Sequence, residues 1–147
     1  MGHCARMYLE LLKKCLAFSL WEETLYYKWD AVTENPPTEL VGIDKQLRQL
    51  GLCLAQECPF IPEIPLEGTR QPYLAHSMIG LKRLNNFQFC IEQTIQDEVP
   101  GDIIETGVWR GGACILARGV LKAYGVKDRK VWVADSFQGL PAPNLAK

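Results

Sequence analysis

The sequence predicts an α/β chain in which N-terminal helices precede one βαβ unit. Two observations support this class. In three segments before Pro100, apolar residues recur every three or four positions, the period of an amphipathic helix. After Pro100 the period changes, because two short β-branched runs, "DIIETGV" and "KVWVADSF", flank a fourth helical segment. Strand, glycine turn, helix and strand in this order predict two parallel strands joined by a right-handed crossover.

The first predicted helix carries an apolar stripe at helical spacing. Its members are Tyr8, Leu11, Leu12, Cys15, Leu16 and Leu20. Lys13 and Lys14 are predicted to lie on the opposite face. Pro36 and Pro37 then interrupt the helical pattern, because proline disfavours helical geometry at its own position and at the preceding one.

A second helical stripe follows the two prolines. It consists of Leu40, Ile43, Leu47, Leu50 and Leu54. Gly51 is expected to weaken this helix by about 1 kcal/mol relative to alanine. The next segment, "CPFIPEIPLEGTRQPYL", contains four prolines and no regular period, so it is predicted to be an extended loop. Such a loop is either a lid over a ligand or a surface connector.

Two further helices complete the prediction. The third extends from near Ala75 to a point before Pro100, and its apolar face comprises Leu81, Leu84, Phe87, Ile91 and Ile95. The fourth lies between the two predicted strands and ends at Gly125. Its apolar face comprises Ala113, Leu116, Ala117, Val120, Leu121 and Tyr124.

Composition points to an ordinary globular protein without nucleic acid or membrane as a partner. The 147 residues carry a formal net charge of −1, which gives no electrostatic footprint for either partner. No apolar run approaches the ~20 residues of a membrane span, and the N-terminus lacks a signal-peptide core, so a cytoplasmic location is expected. The six cysteines show no zinc-site spacing and are expected to be reduced core residues.

The turn "ETGVWRGG" after the first predicted strand is the candidate binding site. Backbone N–H groups and the positive end of the following helix meet at such a turn. A P-loop is excluded, because Ala113 and Cys114 stand where lysine and serine or threonine are required. A dinucleotide fingerprint is disfavoured, because Trp109 occupies the position of the second glycine. A turn with a purely structural role, with Asp135 capping a loop, is the remaining alternative.

S-adenosylmethionine suits this turn better than a phosphate ligand does. Its cationic amino group would be matched by an acid at the end of the strand, such as Glu105. Its ribose diol would be matched by Asp135, which ends the second predicted strand 28 residues after Gly107. That spacing is expected for the ribose-binding acid of any βαβ nucleoside site, so Asp135 does not distinguish S-adenosylmethionine from NAD.

The strings "DIIETGVWRGGACILARGVLKAYGVKDRKVWVADSFQGLPAPN" and "AHSMIGLKRLNNFQFCIEQTIQDEVPGD" resemble the macrocin O-methyltransferase (TylF-type) family of sugar O-methyltransferases. The resemblance covers Ala75 to about Asn144, and "YLELLKKCL" also resembles the first helix of the family. It implies the first βαβ unit of a class I, Rossmann-like methyltransferase fold with an incomplete sheet. Residues 1–72 would then be an N-terminal helical and lid region, and residues 73–147 the start of the domain that binds S-adenosylmethionine.

The resemblance also implies the ligands and the residues that contact them. The expected cofactors are S-adenosylmethionine and Mg²⁺, and the expected acceptor is a sugar hydroxyl of a glycosylated natural product such as an antibiotic. Met78, with Ser77 beside it, would close the methionine end of the cofactor. The other expected contacts are Glu105, Thr106, Gly107, Val108, Trp109, Arg110, Gly111, Gly112, Asp135, Ser136 and Phe137.

The chain departs from the family pattern at two places. The family's G-x-D-W-P is replaced by "GTRQP", where Arg70 and Gln71 stand in place of an acid and an aromatic residue, which puts the lid contact or acceptor specificity in doubt. The family's metal ligands and catalytic base lie beyond the second strand, so no residue of this chain is assigned to either role. His76 is a weak candidate for a base, because a lone histidine near the start of a helix is more often a cap or a core residue.

Two main hypotheses follow. The chain is either the cofactor-binding part of an O-methyltransferase, truncated and inactive by itself, or a non-catalytic remnant or interaction module. A fragment of an NAD-dependent oxidoreductase is a third alternative. An incomplete sheet would leave an exposed edge, so self-association into a homo-oligomer is also expected.

Overall fold

The computed structural model describes residues 2–20, 25–28, 37–69 and 74–139. The helices are α1 (His3–Leu16), α2 (Thr38–Gln49), α3 (Glu63–Glu67), α4 (Gly80–Gln96) and α5 (Gly112–Ala123). The strands are β1 (Leu25–Lys28), β2 (Ala55–Cys58), β3 (Ile103–Thr106) and β4 (Val131–Ala134). The predicted interruption at Pro36, the "GTRQP" substitutions Arg70 and Gln71, and the end of the resemblance at Asn144 lie outside the described residues.

The predicted βαβ unit is confirmed. β3 and β4 pair in parallel, with Ile103 opposite Val131 and Thr106 opposite Ala134. α5 lies between them along the chain and contacts both strands. Alternate residues face opposite sides of a strand, so one side of this small sheet faces α5 and the other carries Ile104 and Trp132. The carboxyl ends of both strands therefore lie at the same edge of the sheet.

The core forms where α1, α4 and α5 pack together on one side of this sheet. α5 is central, because Leu116, Ala117, Val120 and Leu121 are fully buried. Ile103 and Val131 pack against the same cluster from the sheet. The burial of this face agrees with the apolar stripe predicted for the fourth helix.

The predicted orientation of α1 is wrong for Lys13. Its side chain is buried, and Nζ donates to Oε1 of Glu10 over 2.7 Å and also contacts Oδ1 of Asn85 in α4. Tyr8 and Leu11 of the predicted apolar stripe are 43% and 52% exposed. α1 packs against both α4 and α5, so its buried face is set by the positions of two neighbours. A lysine tolerates this location because its methylene chain is apolar and its ammonium group is hydrogen-bonded.

α1 and α2 also end earlier than their stripes predict. α1 ends at Leu16 with Ala17 as its C-cap, so Leu20 lies outside the helix. α2 ends at Gln49, and Gly51 follows it with a positive φ of 75° instead of lying inside the helix. Oδ1 of the buried Asp44 accepts a hydrogen bond from the N–H of Leu54 over 3.2 Å, which ties the following turn to the helix.

The sequence does not predict the β1–β2 hairpin, and two predictions for the segment between α2 and α4 need correction. β2 pairs with β1 in an antiparallel hairpin, with Leu25 opposite Cys58 and Lys28 opposite Ala55. The predicted extended loop contains the short helix α3. α4 begins at Gly80 instead of near Ala75. Gly80 has a positive φ of 76°, which marks a break between the helix and the preceding chain.

The cysteine prediction is half right. All six cysteines are thiols, but only Cys58 and Cys114 are buried, whereas Cys4, Cys53 and Cys90 are exposed. In the described part of the chain, no helix is both long and apolar enough to cross a membrane.

Candidate functional site

The candidate site is the turn that joins β3 to α5, together with the residues that follow β4. Gly107, Trp109 and Gly111, every second residue of the turn, have positive φ values of 81°, 50° and 80°. Glycine adopts this region without steric cost, whereas for Trp109 it costs about 1–2 kcal/mol. Apart from the adjacent residues of the turn, no atom of the described part of the chain lies within 4 Å of the position that a Cβ would occupy on Gly107 or Gly111, so there is open space beside the turn.

Asp135 ties the turn to the end of β4. Its Oδ2 accepts a hydrogen bond from the N–H of Val108 over 2.7 Å, and its Oδ1 accepts one from the N–H of Phe137 over 3.0 Å. These two backbone hydrogen bonds hold the pKa of Asp135 below its usual value, so the carboxylate is ionised at neutral pH. The side chain is exposed. The residue that the sequence predicts as a ribose ligand is therefore charged, held in position and accessible.

Ser136 and Phe137 follow Asp135 in the chain and are exposed, like Asp135 itself. Oγ of Ser136 is 3.4 Å from Oδ1 of Asp135 and also 3.4 Å from the carbonyl oxygen of Gly139. Phe137 is 75% exposed and has a positive φ of 55°. The structure therefore presents an unburied aromatic ring next to the carboxylate.

Glu105 lies one residue before the end of β3, on the side of the sheet that faces α5. Its Oε2 accepts a hydrogen bond from Sγ of Cys114 over 2.8 Å. Thr106 ends the strand and is exposed, and the N–H of Gly107 donates to the carbonyl oxygen of Ala134 over 3.0 Å. The parallel ladder thus continues into the turn and fixes the position at which the turn begins.

Arg110 and Gly112 connect the turn to the segment before α4. Nη1 of Arg110 donates to the carbonyl oxygen of Ala75 over 3.1 Å, and its guanidinium group lies 4.5 Å from the centre of the Trp109 ring. The N–H of Gly112 donates to the carbonyl oxygen of His76 over 3.0 Å. A Cβ on Gly112 would lie 2.4 Å from that carbonyl oxygen, so only glycine fits this contact.

These contacts bring the predicted residues from three segments together. The turn from Glu105 to Gly112, the residues from Asp135 to Phe137, and the segment around Met78 are joined by backbone hydrogen bonds. Ser77, next to Met78, is buried, and its N–H and that of His76 both donate to the carbonyl oxygen of Leu16. The segment before α4 is therefore anchored to both the end of α1 and the start of α5, and Met78, which follows these contacts, is half-buried.

Cys114 is a site residue that the sequence interpretation missed. The sequence predicts a core cysteine, and Cys114 is buried, but it also contacts the carboxylate of Glu105. The sequence signal for this contact is the position of Cys114 in the first turn of α5, because the start of α5 faces the end of β3, where Glu105 lies. The hydrogen bond from Gly112 to the backbone carbonyl of His76 has no signal in the sequence, because it depends on a tertiary contact.

An open groove of about 380 Å³ lies on the flank of α5, away from the glycine turn. Its lining includes Tyr8, Ile115, Arg118 and Val133. Cys114 also contributes to it, but neither Asp135 nor the residues of the turn do. The groove therefore reaches the candidate site only at Cys114.

No group of three or more histidine, cysteine, aspartate or glutamate side chains that could hold a metal ion occurs in residues 2–20, 25–28, 37–69 and 74–139. The residues of the site fit an organic ligand with hydroxyl groups and a positive charge, because its two carboxylates, Glu105 and Asp135, lie at the ends of adjacent parallel strands. The site thus lies at the carboxyl-end edge of the β3–β4 sheet, where parallel α/β sheets bind their ligands.

Comparison with known proteins gives the same interpretation as the site. The family model described as Macrocin-O-methyltransferase (TylF) matches residues 5–147. The solved structure titled "Structure of the O-methyltransferase NovP" is similar to the chain, with a TM-score of 0.68 and 42% identity over 93% of this chain and 44% of that one. The fold class predicted from the sequence is therefore confirmed.

Two curated relatives are 62% identical to matching segments of the chain. Mycinamicin III 3''-O-methyltransferase of Micromonospora griseorubida matches over 88 residues, which are 60% of this chain and 35% of that protein. Demethyldecarbamoylnovobiocin O-methyltransferase of Streptomyces niveus matches over 79 residues, 54% of this chain and 30% of that protein. A tetracenomycin-C rhamnosyl 4'-O-methyltransferase of Streptomyces olivaceus is 58% identical over 76 residues and 29% of its length. The matched segments thus span about a third of each of these relatives.

Proposed function

The chain belongs to the macrocin O-methyltransferase (TylF) family, and on that premise we propose that it forms the donor-binding part of an S-adenosylmethionine-dependent O-methyltransferase. The methyl acceptor is proposed to be a sugar hydroxyl of a glycosylated natural product. One relative is named for a rhamnosyl tetracenomycin, which supports a sugar acceptor. The observation that carries the proposal is the pair of carboxylates, Glu105 and Asp135, at the carboxyl ends of β3 and β4.

Asp135 is proposed to bind the ribose hydroxyls. Each carboxylate oxygen has two lone pairs, and Oδ2 uses one of them for the N–H of Val108. The second lone pair of Oδ2 remains for one hydroxyl. The contact from Ser136 to Oδ1 is long, 3.4 Å, so a second hydroxyl would replace it at little cost. The exposed ring of Phe137 adds apolar surface beside this carboxylate.

Glu105 is proposed to bind the amino group at the methionine end of the donor. A carboxylate and an ammonium group form a charge-assisted hydrogen bond, which is stronger than a neutral one. The proposed contacts also include Thr106, the turn from Gly107 to Gly112, and Met78. They are supported by the open space beside Gly107 and Gly111 and by the contact of Gly112 with the segment before α4.

The donor supplies a methyl group on a cationic sulfur, and the described residues contribute binding and orientation. The turn and Asp135 are hydrogen-bonded to each other before the ligand arrives, because the N–H of Val108 donates to the carboxylate, which also accepts from the N–H of Phe137. Preorganisation of this kind lowers the entropic cost of binding. We assign no catalytic base and no metal ligand among the described residues, and Mg²⁺ stays an expectation of the family resemblance.

Binding of the demethylated product, S-adenosylhomocysteine, tests this proposal directly. Titration calorimetry and thermal melting of the 147-residue chain would measure it, because a ligand that binds only the folded state raises the melting temperature. We expect S-adenosylhomocysteine to raise it and NADH to leave it unchanged. A shift with NADH alone would favour the oxidoreductase alternative, and no shift with either ligand would contradict a nucleoside site.

Self-association and a cytoplasmic location also stay predictions of the sequence. Self-association is supported by the uncovered side of the β3–β4 sheet, where Ile104 and Trp132 are neighbours and are 63% and 52% exposed. Large apolar side chains in adjacent positions favour contact with another protein surface. Sedimentation velocity over a hundredfold concentration range checks this, and a single monomeric species throughout would contradict it.

A further inference from the structure

Glu105 and Cys114 form a hydrogen-bonded pair between β3 and the first turn of α5. Sγ of Cys114 donates to Oε2 of Glu105 over 2.8 Å. Cys114 is 7% exposed, so water does not compete freely for its thiol. Among the residues that the structure describes, Oε1 of Glu105 accepts no hydrogen bond. One oxygen of this carboxylate is therefore held by the protein, and the other is available.

The Cys114 thiol is a donor that keeps its proton. Burial, together with the hydrogen bond and the negative charge of Glu105, raises the pKa of Cys114 to about 12. A thiolate would be required for nucleophilic or metal-binding chemistry, so neither role suits this residue. Packing alone would be satisfied by any small apolar side chain, whereas the contact with Oε2 requires a donor.

We propose that Cys114 is a positioning residue: its thiol holds Oε2 of Glu105 so that Oε1 faces the amino group of the methyl donor. This inference rests on the proposed function, in which Glu105 binds that amino group. A free glutamate side chain samples several rotamers and loses that freedom when it binds a ligand. A carboxylate whose position is fixed before binding loses less conformational entropy when the ligand binds. The thiol therefore increases affinity without touching the ligand.

The test compares two ligands that differ in the group Glu105 would bind. S-Adenosylhomocysteine carries the amino group, and 5'-methylthioadenosine has the same nucleoside without the amino acid. Titration calorimetry would measure both with the wild-type chain, C114A, C114S and E105Q, and with the double variant C114A/E105Q. C114S is the matched control, because its hydroxyl keeps the donor at nearly the same position.

We expect C114A to weaken S-adenosylhomocysteine binding about fivefold, the typical net effect of one hydrogen bond, and to leave 5'-methylthioadenosine binding unchanged. C114S should restore the affinity. In the E105Q background, C114A should cause no further loss, because the group that the thiol positions has already been changed. Thermal melting of each variant separates these effects from loss of folded protein.

Three outcomes would overturn the positioning role while leaving the proposed function intact. These are unchanged affinity in C114A, an equal loss for both ligands, and a C114S variant that behaves like C114A. An equal loss would indicate a general distortion of the turn. Failure of the wild-type chain to bind either ligand would instead contradict the proposed function itself.

Discussion

The backbone N–H of Val108 donates to Oδ2 of Asp135 over 2.7 Å, so the glycine turn after β3 is tied to the residue that follows β4. At the other end of the same strand pair, Asp102 accepts from the N–H of Lys130 over 2.9 Å and from Nε1 of Trp132 over 2.7 Å. Two aspartates thus connect the two strands, one before β3 and one after β4. Only Asp135 lies at the candidate site, so Asp102 is its natural control.

We expect D135A to weaken S-adenosylhomocysteine binding by at least about tenfold, because a charged acceptor of the ribose hydroxyls is lost. D102A should leave the affinity unchanged while lowering the melting temperature, since it removes two hydrogen bonds far from the ligand. Titration calorimetry and thermal melting of both variants distinguish binding from folding. Equal affinities in D135A and the wild-type chain would contradict the ribose-binding role.

Stability should fall in acid because of the same two aspartates. Hydrogen bonds lower the pKa of Asp135 and Asp102 in the folded state below the ordinary value of 3.8. Their stabilising contribution is therefore complete above about pH 3.8 and is lost as the pH falls through the folded-state pKa, because the unfolded state then binds more protons. We expect the melting temperature to drop over this range in the wild-type chain. The double variant D102N/D135N should show a smaller drop, and an identical profile would contradict this origin.

Gly112 should tolerate no larger residue. In G112A the new Cβ would meet the carbonyl oxygen of His76 at 2.4 Å and Cβ of Ser77 at 2.6 Å. Overpacking of this kind costs about 1–3 kcal/mol, which urea unfolding would measure. G42A is the control, because Gly42 lies within α2 with no atom within 4 Å of a new Cβ. The G42A substitution should stabilise the chain by about 0.5–1 kcal/mol. A G112A variant as stable as the wild-type chain would show that the contact with His76 is not tight in solution.

Lys13 and Lys14 are adjacent in α1 but should respond differently to substitution. K13A removes buried methylenes and leaves Oδ1 of Asn85 without the ammonium group, so we expect a loss of about 2–3 kcal/mol in the free energy of unfolding. K14A changes an exposed side chain and should stay within about 0.5 kcal/mol of the wild-type chain. Urea unfolding of both variants checks this. Equal stabilities would place Lys13 on the solvent side, as the sequence pattern indicates.

Lys13 also illustrates what could be predicted from the sequence and what could not. The strand pattern, the glycine turn and the α5 stripe are local signals, so the sequence predicts the βαβ unit correctly. Glu105 and Asp135 lie at the strand ends, and their binding roles stay predictions. The buried face of α1 depends on where α4 and α5 lie, and the spacing of apolar residues in α1 does not contain that information. The hairpin of β1 and β2 was missed for a related reason, since Lys28 pairs with Ala55 across a long intervening segment.

Alkylation should distinguish Cys114 from the exposed cysteines. Burial and the neighbouring Glu105 raise the pKa of Cys114 to about 12, so its thiol stays protonated at pH 8, and burial further limits access. Cys4, Cys53 and Cys90 are exposed, so iodoacetamide should modify them first. Peptide mass spectrometry after a short pulse of iodoacetamide measures the order.

In E105Q the charge beside the thiol is removed, so Cys114 should react faster than in the wild-type chain while the exposed cysteines keep their rates. Unchanged Cys114 labelling in E105Q would show that burial alone, without the carboxylate, keeps this thiol protonated.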